Sequence, residues 1–180
     1  ATGTAYTTAS LSSTQNYYVD ATVAGCTTSS RTSITASVNA IPSNLTTSPG
    51  SRCGAGTVVL GATYNSGTIN WYDALTAGTL MGTGTSFTTP SISSTTNYYV
   101  SSTLNGCTSS PRILVAATVN TIPTITSTTP GSTCGPGFVV LGATASAGTV
   151  NWYAVSSGST SLATGTSYTT GSISSNTTYY

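Results

Sequence analysis

The sequence predicts an all-β chain of tandem immunoglobulin-like β-sandwich repeats, with a period of 81 in the residue numbering. Three observations support this expectation: the chain repeats itself at that one offset, its composition favours strands and turns over helices, and its most regular segments alternate apolar and polar residues. A fixed period is typical of an array, and a unit of about 80 to 100 residues suits a small sandwich better than a solenoid, whose units have about 20 to 50.

The same offset connects cysteines, tryptophans and whole segments. Cys26 recurs as Cys107, and Trp71 recurs as Trp152. Longer stretches match as well, since GTVVLGATYNSGTINWY resembles GFVVLGATASAGTVNWY. We therefore expect a window from a longer array, made of the C-terminal part of one repeat, a complete repeat and the N-terminal part of a third, with the bounds 1–40, 41–121 and 122–180.

The residue composition favours β-structure. Thr, Val, Ile and Tyr form strands readily, whereas Ser, Asn, Gly and Pro favour turns. The 11 Tyr and the net charge of +1 distinguish the chain from disordered segments, which combine few aromatics with high net charge. No apolar run approaches the roughly 18 residues of a membrane helix and no signal peptide opens the chain, so we expect a mature, soluble portion.

The complete repeat opens with four predicted strands, A, B, C and C′, at about 43–49, 57–63, 68–74 and 79–83. Apolar residues alternate with polar ones along B and C, which is the pattern of strands with one buried face. Turns at 64–67 and 76–78 separate B from C and C from C′. The predicted inward residues are Val58, Leu60 and Ala62 on B and Ile69 and Trp71 on C, with Asn70 and Tyr72 facing outward.

Three further strands, E, F and G, are predicted at about 85–90, 96–104 and 112–119. Asn105-Gly106 between F and G is a strong hairpin signal. In the first repeat the same alternation places Tyr17, Val19, Ala21 and Val23 on the inner face of F, and Ile34, Ala36 and Val38 on that of G. This strand order, with Trp71 on strand C, is immunoglobulin-like.

Ionisable residues are so rare that whole classes of function are excluded. The chain has three basic and two acidic residues and no His. Nucleic-acid binding needs clustered Lys and Arg, and calcium sites need several carboxylates. A nucleophilic Ser or Thr needs a base, and the chain has no His or Lys to supply one. Asp20 and Asp73 lie in different repeats, and neither recurs one period further along the chain, where Ser101 and Ala154 stand instead. We therefore predict no catalytic residue, no cofactor and no metal, and hence no enzyme.

Several motifs follow one another in a fixed order, namely Arg52-Cys53-Gly54-x-Gly56, Asn70-Trp71-Tyr72, Tyr98-Tyr99-Val100, Asn105-Gly106-Cys107 and Pro111-Arg112. In this order they resemble the Ig-like repeats of very large secreted surface proteins of Bacteroidota, among them gliding-motility adhesins and other substrates of the type IX secretion system. The resemblance covers the whole chain and implies an extracellular, cell-surface location. It does not choose one function, because the same module occurs in adhesins and as a spacer in secreted enzymes.

Each repeat carries one cysteine before strand B and one after the F–G turn. In a secreted protein such a regular, even set indicates disulfides. The simplest pairing joins Cys53 with Cys107 within one repeat. An immunoglobulin-like topology favours another pairing, because the A–B and F–G turns lie at opposite ends of a sandwich: the A–B cysteine of one repeat then faces the F–G cysteine of the next. Both pairings stay open at this point.

Four tyrosines are candidate surface contacts. Tyr18 and Tyr99 occupy one outward position of the repeat, and Tyr72 and Tyr153 occupy another. Exposed tyrosine beside Asn and Thr suits sugar binding, since aromatic faces stack on pyranose rings. The alternative is structural, because outward tyrosine packs across strands while its hydroxyl stays in water.

We predict a structural or adhesive segment of an extracellular filament or stalk. The expected partners are neighbouring repeats of the same chain, other copies in a filament, and surface polysaccharide, with no nucleic acid and no insertion into a membrane. The alternatives are an array of carbohydrate-binding modules and a spacer in a secreted enzyme. A further hypothesis is self-assembly of chains through exposed strand edges, which little charge protects here.

Overall fold

The computed structural model describes residues 2–43 and 45–180. All regular structure in this part of the chain is β-strand, which confirms the predicted all-β class. The chain divides into two compact units, residues 1–120 and residues 121–180. The strands of the first partial repeat are β1 (Gln15–Val19), β2 (Thr22–Val23), β3 (Cys26–Thr27) and β4 (Thr32–Ala36).

The complete repeat is an immunoglobulin-like sandwich of two sheets. Its strands are β5 (Thr46–Ser48), β6 (Gly50–Cys53), β7 (Val59–Thr63), β8 (Thr68–Tyr72), β9 (Leu80–Thr83), β10 (Ser86–Thr88), β11 (Thr96–Leu104), β12 (Cys107–Thr108) and β13 (Ile113–Asn120). The smaller sheet has the order β10-β7-β5, and the larger has the order β6-β13-β11-β8-β9, with β12 paired to β11. The strands follow the predicted order. B (β7) and E (β10) lie in the smaller sheet, and C (β8), C′ (β9), F (β11) and G (β13) lie in the larger sheet that faces it.

Strand A extends beyond its predicted bounds of about 43–49 and is divided between the two sheets. Its first part, β5, pairs antiparallel with β7, and after Pro49 the chain continues as β6, which pairs parallel with β13. Gly50 permits the crossing, because a Cβ at this position would lie 2.3 Å from the carbonyl oxygen of Val59. Strand A therefore contacts both sheets and closes one side of the sandwich.

The core of the complete repeat is centred on Trp71, which is fully buried. Its ring stacks on Phe87 with centroids 5.5 Å apart, and Phe87 packs edge-on against Tyr98 at 5.2 Å. The indole Nε1 donates a hydrogen bond to the Gly84 carbonyl oxygen at 2.9 Å, so its polar atom has a partner inside the core. The inward residues predicted on strands B and C are all buried, as the alternation requires.

The second unit holds the front half of the same sandwich. Its strands are β14 (Ile125–Thr129), β15 (Val140–Ala145), β16 (Asn151–Trp152), β17 (Ala163–Thr164) and β18 (Ser167–Thr169). One sheet has the order β14-β15-β18, and β16 pairs with β17. Trp152 stacks on Tyr168 at 5.7 Å and donates to the Gly165 carbonyl oxygen at 2.8 Å, which reproduces the arrangement at Trp71.

In the first partial repeat β1 pairs with β4, and the predicted inner face of this hairpin is open. Val19 is 47% exposed, whereas its counterpart Val100 is fully buried. Two of the three strands in the sheet that covers Val100, β5 and β7, come from residues 41–81, whereas residues 1–40 correspond to residues 82–121 and so include a counterpart of the third strand, β10, alone. The apolar alternation is therefore the same in both repeats, but only the complete one can bury it.

Candidate functional site

The candidate contact surface of the complete repeat is a row of four side chains across the outer face of the larger sheet. Leu114 on β13 lies opposite Tyr99 on β11, Tyr99 lies opposite Tyr72 on β8, and Tyr72 lies opposite Leu80 on β9. Side chains directly opposite each other in antiparallel strands share a face and contact each other. We call these four residues the outer row; Leu114 and Leu80 are about half exposed, and the two tyrosines are half-buried.

Arg112 covers one part of the outer row. Its guanidinium carbon lies 3.3 Å from the centroid of the Tyr72 ring, within the range of a cation–π contact. The same guanidinium donates from Nη1 to the carbonyl oxygens of Ala74 and Ala77, each at 2.7 Å. Arg112 thus fixes the loop between β8 and β9 to the sheet and occupies one face of the Tyr72 ring, which leaves that face closed to a sugar.

The two aspartates have structural partners. Asp73 Oδ1 accepts a hydrogen bond from the backbone N–H of Thr79 at 2.7 Å, which closes the loop that Arg112 binds. Asp20 forms an exposed ion pair with Arg31, with 3.0 Å between Oδ2 and Nε. Among residues 2–43 and 45–180, no three His, Cys, Asp or Glu side chains come together as a metal site would require.

The structure brings two of the four predicted tyrosines together. Tyr72 and Tyr99 are neighbours in the outer row, and the equivalent backbone pairing recurs in the second unit, where the N–H of Tyr180 donates to the carbonyl oxygen of Tyr153 at 2.8 Å. Tyr18 in the first repeat is 65% exposed and lies opposite Ser33, the counterpart of Leu114. The tyrosine positions are therefore repeated, whereas the leucine beside them is not.

Sequence reasoning missed the role of Arg112. The signal that could have found it is recurrence, because Arg31 and Arg112 are separated by one full period in a chain with only three basic residues. In the first repeat Arg31 contacts Asp20 instead.

The predicted disulfide between Cys53 and Cys107 is wrong for this structure. Cys53 lies opposite Asn120, the last residue of β13, whereas Cys107 pairs with Leu104 beyond the other end of that strand. The eight residues of β13 span about 24 Å at about 3.4 Å per step, and a disulfide tolerates Cα separations of only about 4.4 to 6.8 Å. Both thiols are free, and the pairing between successive repeats stays a prediction.

Two open grooves lie where a partial repeat leaves its interior uncovered. The larger, of about 440 Å³, is lined by residues that include Tyr17, Ile34 and Ala36. The counterparts of these three in the complete repeat, Tyr98, Val115 and Ala117, are buried core residues. A second groove of about 370 Å³ adjoins Val139 and Ile173 in the second unit. The larger groove is therefore the exposed half of a sandwich core and carries no reactive group.

The comparison with protein families gives one match that extends over the chain. A family model described as Ig-like domain CHU_C associated matches residues 1–40, 41–120 and 121–180. No curated protein matches the chain. Within the described residues, the structure contains no helix with the length and hydropathy needed to span a membrane.

Proposed function

Because the chain belongs to the family of Ig-like domains described as CHU_C associated, we propose that it is a structural and adhesive segment of an extracellular filament or stalk at the cell surface. Domains of this family are typically structural and non-catalytic, and they are typical of extracellular and cell-surface proteins of Bacteroidota. Adhesion and the filament itself are the parts of this proposal that go beyond the family.

The observation that carries the proposal is the path of the chain through the complete repeat. The chain enters at Thr46, which lies opposite Thr63 near the loop between β7 and β8. It leaves at Asn120, opposite Cys53 at the other end of the larger sheet. A repeat whose two termini lie at opposite ends adds its own length when it is joined head to tail, and β13 alone spans about 24 Å. Such a repeat suits a stalk.

The surface of the repeat supports the same function. With 3% charged residues, the chain offers few targets for nonspecific electrostatic attraction. The exposed leucines and half-buried tyrosines of the outer row give the complete repeat an apolar contact strip, and the tyrosine positions of this strip recur in the neighbouring repeats. Tyrosines that recur along an array supply many weak contacts along one filament, and multivalency converts weak contacts into strong attachment.

The test is the removal of one period from a protein that carries this chain. Deletion of residues 41–121 keeps the register of the repeats, so we expect the shortened protein to fold and to be exported. We expect the filaments seen by electron microscopy to shorten by a constant step for each period removed, and attachment of cells to a surface to fall. Unchanged filament length together with unchanged attachment would reject the proposal.

The second candidate function is carbohydrate binding, favoured by the adjacency of Tyr72 and Tyr99 in the outer row. A glycan array probed with the purified chain tests it, with Tyr99→Ser as the variant and Tyr6→Ser as the matched control. Tyr6 is an exposed tyrosine outside the row. Loss of a glycan signal in the first variant alone supports sugar binding, whereas no signal from the unaltered chain favours a spacer.

A further inference from the structure

Cys107 lies against the end of the preceding repeat. Its Sγ is 3.8 Å from the backbone carbonyl oxygen of Asn39, and the Asn39 side-chain amide donates to the carbonyl oxygen of Asn105 at 3.1 Å. Asn39 follows β4, the last strand of the first repeat, and Asn105 belongs to the turn that precedes Cys107. The F–G turn of one repeat thus contacts the end of strand G in the repeat before it.

The complete repeat shows what lies beside the end of strand G. Asn39 corresponds to Asn120, one period further along the chain. Asn120 lies directly opposite Cys53 in the parallel pairing of β13 with β6, and its carbonyl oxygen accepts a hydrogen bond from the Gly54 N–H at 2.9 Å. Adjacent strands are about 4.8 Å apart. A complete repeat therefore holds its A–B cysteine one strand spacing from the backbone position that the next repeat's F–G cysteine contacts.

From this coincidence we propose that a disulfide joins the A–B cysteine of each repeat, equivalent to Cys53, to the F–G cysteine of the following repeat, equivalent to Cys107. The A–B cysteine and the thiol of the next repeat's F–G cysteine thus lie beside the same residue, the last of strand G, which is the proximity that a disulfide with its Cα separation of about 4.4 to 6.8 Å requires. Cys53 is exposed and Cys107 is half-buried, so an oxidant can reach one of the pair. In this pairing the partner of each of the four cysteines corresponds to a position outside residues 1–180.

Each bond forms by oxidation of two thiols, which lose two protons and two electrons. The co-reactant is a disulfide oxidant, either a thiol–disulfide oxidoreductase or a small disulfide such as oxidised glutathione. The first protein thiolate attacks the oxidant to give a mixed disulfide, and the second displaces the reduced thiol. The oxidant takes up both electrons and both protons as two thiols. The result is a covalent link across every junction, whether or not the filament adheres to anything.

The test completes the first repeat within the full chain. A second copy of residues 41–81, placed before Ala1, restores the strands that this repeat lacks and adds one cysteine, the copy of Cys53. After refolding in a glutathione redox buffer, we expect three of the five cysteines to titrate as free thiols. Peptide mapping without reduction should then show the copied cysteine bound to Cys107. Free thiols on all five, or a bond from the copied cysteine to Cys26 or Cys53, would overturn the proposal.

Two variants of the lengthened chain serve as controls. Cys107→Ser should leave every remaining thiol free, whereas Cys26→Ser should leave the new disulfide intact. If the lengthened chain does not fold, Asn39→Cys in the unaltered chain decides instead, because it places a thiol at the contact itself. That variant should lose two free thiols to a bond with Cys107 in the same buffer, and it should lose none when Cys107→Ser is added. The absence of this bond would show that the junction does not exist in solution.

Discussion

At the scale of single residues, Thr89 links two segments of the core that are far apart in the sequence. Its hydroxyl accepts a hydrogen bond from the buried N–H of Val58 at 3.0 Å and donates one to the Pro90 carbonyl oxygen at 2.8 Å. Thr170 accepts the equivalent bond from the N–H of Val139 at 3.0 Å in the second unit. In a chain with so many threonines, this recurrence identifies a threonine with a fixed structural role.

We expect Thr89→Val to lower the free energy of unfolding by about 1 to 3 kcal/mol. Valine keeps the shape of threonine but leaves the Val58 N–H buried without a partner, and an unsatisfied buried donor costs its full desolvation energy. Urea denaturation measures the loss, and hydrogen exchange at the Val58 amide locates it. Thr88→Val is the matched control, because Thr88 is the exposed neighbour of Thr89 at the end of β10 and should change stability by less than about 0.5 kcal/mol.

Tyr98 makes the stability of the complete repeat sensitive to alkaline pH. Burial raises the pKa of its phenol above the ordinary value of 10.0, because the charged phenolate loses its hydration in the core. The unfolded chain therefore releases this proton at a lower pH than the folded chain does. The contribution of the neutral Tyr98 phenol to the free energy of unfolding is complete below pH about 10. It falls as the pH rises from there through the raised pKa of the folded state.

Tyr98→Phe should remove part of this alkaline destabilisation. Urea unfolding measured between pH 8 and pH 11 should show a smaller fall of stability for the variant than for the unaltered chain. Tyr6→Phe, which alters an exposed tyrosine, should leave the fall unchanged. Equal pH dependence in all three chains would contradict the assignment.

Alternation in the sequence predicted which face a residue occupies, but not its partner across the sheet. It correctly placed Leu60 and Trp71 in the core. The pairing of Tyr72 with Tyr99 depends on the register of two strands that are distant in the sequence, which alternation leaves free to slip by two. The stacking of Arg112 on Tyr72 depends in turn on that register, so neither contact could be derived from the pattern alone.

At the scale of elements, the division of strand A is the feature that sequence reasoning did not find. Pro49-Gly50 has the composition of a turn, yet the chain continues in the same direction and only changes sheets. The same residue types recur at Pro130-Gly131, where a Cβ on Gly131 would lie 2.3 Å from the Val140 carbonyl oxygen. The requirement is steric: the carbonyl of strand B occupies the space where a side chain would begin.

Gly50→Ala should therefore destabilise the complete repeat by about 1 to 3 kcal/mol or more, the usual cost of forcing atoms into a packed site. The added Cβ would also lie 2.7 Å from a methyl group of Val58, so the strand has to move away from β7. Chemical denaturation measures the loss. Ser51→Ala is the control, because Ser51 is exposed on the same strand and its substitution should have little effect. Equal stability of the two variants would contradict the steric account.

At the scale of the whole molecule, the period of the sequence predicts more than any single motif does. It gave the repeat length, and it identified Trp71 and Trp152 as equivalent core residues. The period could not give the cysteine pairing, because the A–B cysteine and the F–G cysteine both recur every 81 residues whichever bond they form. That choice depends on which end of the sandwich each cysteine occupies, and the pairing of β6 with β13 places Cys53 at the end away from the F–G turn.

The length of an array should grow in proportion to the number of complete repeats. Additional copies of residues 41–121 inserted after residue 121 keep the register, and each copy carries its termini at opposite ends of its sandwich. We expect the maximum dimension from small-angle X-ray scattering to increase by at least about 24 Å per copy, the span of β13. Gly/Ser inserts of the same length as one repeat are the control, because the size of a flexible coil grows only as about the square root of its length. Increments that shrink with each added copy would show that successive repeats fold back on one another, and a filament could not be built from them.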